Sequence, residues 1–341
     1  MNQPIYINGS AAISIQDTLK GFFPNDFVKI RQRFAQAIDP DFKEHIPVAL
    51  SRRMSRMIKR AITVSQLSLQ EAKVVLPDAI IFGTGLGCIE DTEKFLNAVL
   101  DQDEVLLPPG FFIQSTHNTI TSQVAMRLGC HGYNNTFVQR GLSFESALLD
   151  ASLLFDEGRV ATVLTGGHDE LTPTYFTLLD KVGYYSYNEK YDTGSFAGEG
   201  SVSFVLDVNR KEESYASIHS LEMFYCPQKD TTFKSVVEPF LDRQGVSPNE
   251  LCALFTAYTD DETDRRLYQA ISTKPFSEIP HIPYKKFCGV YFTSSAFGLW
   301  LAAHYLRSGA FPDDIRKPYI LLHNHSFNKF HSIMLLKNLN R

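Results

Sequence analysis

The stretch Gly132 to Glu170, GYNNTFVQRGLSFESALLDASLLFDEGRVATVLTGGHDE, constrains the fold of this chain most. A short β-prone run, Asn135 to Val138, ends at the sharp turn Arg140-Gly141-Leu142. Phe144, Ala147, Leu148, Ala151, Leu154 and Phe155 then recur at three- and four-residue spacing, the mark of a helix with one apolar face. Ser143 is the expected N-cap, and Glu145 suits the positive end of the helix dipole. Gly158 closes the helix, and Val160 to Leu164 runs as a buried strand into Gly166-Gly167.

The remaining elements follow the same βα logic. Ile5 to Ile7 reads as a short strand entering a loop at Asn8-Gly9, and Leu50 to Lys73 as one amphipathic helix. Off the apolar face of that helix lie Arg52, Arg53, Arg56, Lys59 and Arg60, a basic side suited to an acidic carrier protein. Ala79 to Phe82 is a buried strand followed by Gly83-Thr84-Gly85-Leu86-Gly87, which lacks the spacing of a dinucleotide fingerprint. A second half begins near Lys211. It has strands at Ser214 to Met223, Leu251 to Tyr258, Tyr319 to Leu322 and Ile333 to Leu336, with helices at Thr232 to Gln244 and after Ser294.

Taken together, the strand, sharp turn, helix, strand and Gly-Gly order resembles the nucleophile region of β-ketoacyl synthases, members of the thiolase superfamily. Tyr191 to Val202, with Gly198-Glu199-Gly200 intact, parallels the DGFVxGEGAG segment of that family. Lys285 to Gly298 parallels KxxxGHxxGAAG, and Ala257-Tyr258-Thr259-Asp260 parallels AHGT. The resemblance implies a five-layered α-β-α-β-α fold of two similar halves, here 1–210 and 211–341.

It also exposes what is missing. The turn of an active ketosynthase carries a cysteine, made a thiolate by the helix N-terminus. Family spacing puts that position at Gly141; a register two residues earlier puts it at Gln139, and neither supplies a thiol. Tyr258 and Val290 stand where the two histidines that stabilise the enolate oxygen belong, while Lys285 is retained. Cys130, Cys288, His117 and His168 read as core residues rather than recruited catalysts. In the family the segment from Gly110 onward lies at the dimer interface and lines the acyl tunnel. That makes Thr116, Thr119, Ile120 and Phe137, with Gln139, the tunnel and interface candidates.

Composition closes off other classes. A net charge of −5 argues against nucleic-acid partners, and no run approaches the roughly 20 apolar residues of a membrane span. The N-terminus has no signal-peptide pattern, so a cytoplasmic location is expected. The five scattered cysteines show no metal-ligand spacing, so neither metal nor cofactor is expected. The 26 phenylalanines against one tryptophan suit a core, or a pocket for a long apolar chain. The resemblance therefore implies a catalytically degenerate ketosynthase relative of the chain-length-factor type. Such a factor forms a heterodimer with an active ketosynthase and works with an acyl carrier protein in polyketide, aryl-polyene or fatty-acid-type elongation. The competing expectation is a stand-alone acyltransferase or malonyl decarboxylase with unusual site residues.

Overall fold

The computed structural model describes residues 3–19, 27–52, 54–101, 109–190, 193–227, 231–308 and 317–339. Ten strands form one continuous sheet in the order β3-β2-β4-β5-β1-β6-β10-β9-β7-β8. The first five are β1 (Ile5–Ile13), β2 (Ala79–Gly83), β3 (Tyr133–Phe137), β4 (Thr162–Asp169) and β5 (Gly200–Asp207). The second five are β6 (Ser217–Tyr225), β7 (Leu251–Thr256), β8 (His281–Pro283), β9 (Tyr319–Ser326) and β10 (Phe330–Lys337). Read outward from the β1·β6 junction, each set repeats one order, with β6 answering β1, β9 answering β4 and β10 answering β5. The junction itself is short: Ile5 pairs with Ile218 and Tyr6 with Ser217, and Ile7 continues it by backbone bonds with Ala216 and Tyr215.

The helices are α1 (Val48–Ser51), α2 (Arg56–Glu71), α3 (Ile89–Asp101), α4 (Pro109–Ser115), α5 (Thr119–Leu128) and α6 (Ser143–Asp156). Then come α7 (Pro173–Lys181), α8 (Phe233–Gln244), α9 (Glu262–Leu267), α10 (Lys285–Cys288) and α11 (Ser294–Ser308). Alternation along the strands assigns them to layers. Ala79 and Ile81 of β2 face an inner core with α6 and α11, whereas Ile80 and Phe82 face an outer core with α2 and α5. In the second half, Ile320 and Leu322 of β9 join the inner core, and Leu321 turns out toward α8. The result is the five-layered α-β-α-β-α arrangement of the thiolase fold. α6 and α11 lie in the middle layer, and α11 is apolar almost all round, as a helix covered on both sides must be.

Several local expectations change in this setting. β1 does not stop at Asn8-Gly9 but continues through them to Ile13, absorbing a bulge between Ile7 and Gly9. The helix expected over Leu50 to Lys73 is broken. Ser55 caps a fresh start, its Oγ accepting the Ile58 N–H. Arg60 does not share a solvated basic face: it is fully buried and bonded to Asp39 and Glu199. β4 starts two residues later than Val160 and runs through both glycines to Asp169. Ser143 is not the N-cap of α6; it is the first helical residue, and its hydroxyl accepts the Gln139 N–H while donating to the Arg140 carbonyl. Glu145 lies in the first turn of α6, as expected, and its carboxyl is fully buried. Tyr191 and Asp192, which open the glycine-rich segment, and Arg53 lie outside the described residues.

Candidate functional site

A cavity of about 490 Å³ opens where the two halves meet, between the turn before α6 and the C-terminal end of β9. Gly141, Lys285, Val290, Asn324, His325 and Ser326 are among the residues lining it. A short 3-10 turn, Arg140–Leu142, presents Gly141, with Arg140 held at a positive φ of 54° to make the sharp entry into α6. A side chain has no room there. A Cβ built on Gly141 would lie 2.5 Å from both Cβ and Oγ of Ser326. The serine hydroxyl thus occupies the volume a residue at 141 would use.

Asn324, one residue from His325 on β9, ties the turn down. Its amide donates to the Gly141 carbonyl (3.1 Å) and to Glu145 Oε1 (2.8 Å), and its own carbonyl accepts from Tyr284 Oη (3.0 Å). Ser332 Oγ gives Glu145 Oε1 a second donor at 2.8 Å. Burial pushes the Glu145 carboxyl up from its ordinary range, against these hydrogen bonds. Glu145 is therefore a structural clamp between α6 and the last two strands.

His325 Nε2 lies 2.9 Å from Asp264 Oδ1, and both residues line the cavity. Asp264 is oriented by Thr259, whose N–H and Oγ1 reach Oδ2 at 2.6 and 2.8 Å. Burial alone pushes the Asp264 carboxyl up. The nearby His325 and Lys285 and the Thr259 bond outweigh it and hold Asp264 below the usual carboxylate range. Burial pulls Lys285 down, with Asp264 opposing. An ionised carboxylate bearing on an imidazole is an acid–base arrangement.

The other expected residues divide clearly. Val290 lines the cavity, and its backbone is fixed by an N–H bond to the Phe196 carbonyl (2.8 Å). Gly198 and Gly289 meet backbone to backbone, so a Cβ on Gly198 would fall 2.1 Å from the Cys288 carbonyl oxygen. Glu199 of the same segment accepts from Arg60 and from the Ala37 and Leu171 N–H groups, an anchoring role. Tyr258 does not face the cavity: its hydroxyl donates to Asp260 Oδ1 (2.7 Å), and Lys286 Nζ sits 5.2 Å from its ring centre. Gln139 turns onto α6, where its Oε1 accepts from Ser146 Oγ (2.7 Å).

The Thr116 and Thr119 hydroxyls lie 2.8 Å apart, each within hydrogen-bond distance of the Ile113 carbonyl (2.9 and 2.8 Å), and staple α4 to α5. Ile120 is fully buried in the outer core, and Phe137 ends the edge strand β3. Neither these four nor Gln139 line the cavity. Cys88 and Cys288 are buried thiols whose titration burial pushes up, so neither is poised as a thiolate. His168 is buried with neither ring nitrogen hydrogen-bonded among the described residues. Among those residues no group of His, Cys, Asp and Glu is arranged to hold a metal ion. Asp264, His325 and Ser326 escaped the sequence reading. The one available signal was His323-Asn324-His325-Ser326 at the point where the family has a glycine turn.

The family profile described as beta-ketoacyl synthase, N-terminal domain, matches residues 30–191. No curated protein sequence matches the chain. Among solved structures, the ishigamide ketosynthase/chain length factor aligns with a TM-score of 0.79 at 17% identity, covering 98% of this chain and 99% of that one. A type II PKS acyl-carrier protein in complex with its ketosynthase (AntDE:AntF) gives 0.78 at 15% identity, over 99% and 100%. The ketosynthase ApeO in complex with its chain length factor ApeC, from Xenorhabdus doucetiae, gives 0.75 at 14%, over 98% of both. At these identities the likeness establishes the fold, which is that of the ketosynthases.

Proposed function

We propose that this chain, a β-ketoacyl synthase relative by its fold and its N-terminal match, is a non-condensing partner of the chain-length-factor type. It would complete the acyl tunnel of an active ketosynthase working on carrier-bound chains. The observation that carries this reading is the Gly141 turn: it has no thiol and no space for one. Condensation needs a nucleophile that can be acylated and donors for the enolate oxygen. Val290 offers no side-chain donor, and Tyr258 is turned away.

The need for a partner is supported by β3, which ends the ten-stranded sheet with one edge unpaired among the described residues. α5 packs beside it, and with α4 it leaves Phe112, Ile113 and Met126 largely exposed. Obligate interfaces of the kind such a surface suits bury roughly 2,000 Å² or more. The named neighbours include ketosynthase and chain-length-factor pairs and a carrier-protein complex, which favours the same roles here.

The test is co-expression with a ketosynthase that retains Cys and both His. A heterodimer on size-exclusion chromatography is expected, with Phe137→Asp splitting it. Recovery of this chain only as a monomer or homodimer beside the active enzyme would remove the proposal.

A further inference from the structure

We propose that Lys285 is a nucleophilic amine that captures an aldehyde or ketone in the cavity as an imine. The proposal goes beyond the partner role, and its test does not depend on one. Three observations carry it. Lys285, on α10, lines the cavity of about 490 Å³ and is otherwise buried, at 8% exposure. Its ammonium has no hydrogen bond and no ion pair among the described residues. Arg60, a buried cation with a structural task, is by contrast bonded to Asp39 and Glu199, and Lys286 turns away over the Tyr258 ring. Finally, Asn328 Oδ1 and His325 Nδ1, from two other residues lining the cavity, are buried with no hydrogen-bond partner among the described residues. Unmatched polar atoms around a cavity of small-molecule size are what a polar ligand would satisfy.

A lysine taken out of water and given no carboxylate to hold it charged moves toward its neutral, nucleophilic form. Burial does pull Lys285 below the ordinary 10.5. It does so against Asp264 and Asp261 at the start of α9, Cys288 on α10 and Glu145 on α6, while His323 faces the lysine from β9. The step needs no co-reactant. The Nζ lone pair attacks the carbonyl carbon, the N–C bond forms, and the carbonyl oxygen takes the proton that nitrogen releases. The resulting carbinolamine loses its hydroxyl together with the second nitrogen proton as water, leaving a C=N bond. Hydrolysis reverses both stages and returns the amine. Val182, Val290 and Phe292 also line the cavity and suit the hydrocarbon part of the ligand.

The experiment uses the full chain and 2,4-pentanedione at neutral pH, because the imine of a 1,3-diketone rearranges to a stable enaminone without a reductant. Intact-mass and peptide mass spectrometry should find one diketone less one water on the Lys285 peptide before the exposed lysines react. Octanal with sodium cyanoborohydride should leave an N-octyl group on the same residue. Lys285→Met and Lys285→Arg should both lose the adduct, the second while keeping the charge. Asp264→Asn removes a carboxylate that favours the ammonium, so the midpoint of labelling against pH should move down from that of the wild type. Labelling spread over exposed lysines with Lys285 unmodified, an adduct on Lys285 that forms no sooner than theirs, or a midpoint unmoved by Asp264→Asn would each overturn the assignment. None of these outcomes bears on whether the chain pairs with a ketosynthase.

Discussion

The two halves answer one another strand for strand, and at one place they diverge. β4 ends against the start of α11, and its counterpart β9 ends against the start of α6. In the first case Asp169 closes the junction. It accepts from the Thr293 N–H (2.7 Å) and Oγ1 (2.8 Å) and, through its other oxygen, from the Gly85 N–H (2.7 Å) and Thr84 Oγ1 (3.2 Å). In the second case a neutral serine abuts Gly141, and a cavity of about 490 Å³ remains in front of the helix. A carboxylate at a helix N-terminus satisfies its free donors and leaves nothing for a ligand. The open junction leaves space before α6 that the closed one before α11 does not.

The largest effect expected from this contrast is at Asp169. Alanine there removes four hydrogen bonds and leaves two buried amides unpaired, so denaturant unfolding should show a loss of about 4 kcal/mol. A loss below about 1 kcal/mol would mean that the closed junction is not a structural one. Gly141→Cys comes next. The new Cβ meets Ser326 at 2.5 Å, so overpacking should cost about 2 kcal/mol. It should not restore condensation of malonyl and acyl thioesters, because the enolate oxygen still has no donors; radiolabelled product would contradict this.

Acidity separates the halves in a third way. Burial holds His168 down to about 3 and His331 to about 4. Below their ordinary value near 6.5 the unfolded chain therefore binds protons that the folded chain refuses, and stability falls as pH drops. Asp169, pushed up to about 6 by burial despite its donors, has the opposite sign: it favours the fold as pH falls through 6. Over the whole fold the histidines held down (His168, His219, His281, His304, His323 and His331) outnumber the buried carboxyls pushed up (Asp91, Glu145, Asp169 and Glu170), which leaves a net loss on going from pH 6.5 to 5. His168→Leu should lower the slope of stability with pH by up to about 1.4 kcal/mol per unit in that window, and an unchanged slope would show that His168 is solvated. The smallest expected effect is a coupling. Ser326→Gly should relieve Gly141→Cys by about 1 kcal/mol in a double-mutant cycle, and strict additivity would show that the two residues do not share that space.

Much of the architecture was legible because it rests on periodicity. The apolar spacing from Phe144 to Phe155 marked α6, and Thr232 marked the start of α8, whose capping box it forms. That Gly141 and Val290 carry neither thiol nor imidazole was also legible, since residue identity is visible in one dimension. Arg60 was misread because its helix position is compatible with solvent. Only Asp39 and Glu199, 21 and 139 residues away, make its burial tolerable. Tyr258 was misplaced for a similar reason: the residue order put it at the site, while its bond to Asp260 turns it away.

By itself the sequence determined the order of strands and helices, the buried character of the middle helix and the absence of a thiol at the turn. All of these depend on residue identity and on neighbours within a few positions. What only the tertiary structure decided is which groups meet. Ser326 reaches Gly141 across 185 positions, and His325 reaches Asp264 across 61. Those meetings are set by how β9 crosses the start of α6 and by where α9 leaves β7. They arise from packing the two five-stranded halves of the sheet against one pair of helices, and packing is not a property of any local stretch.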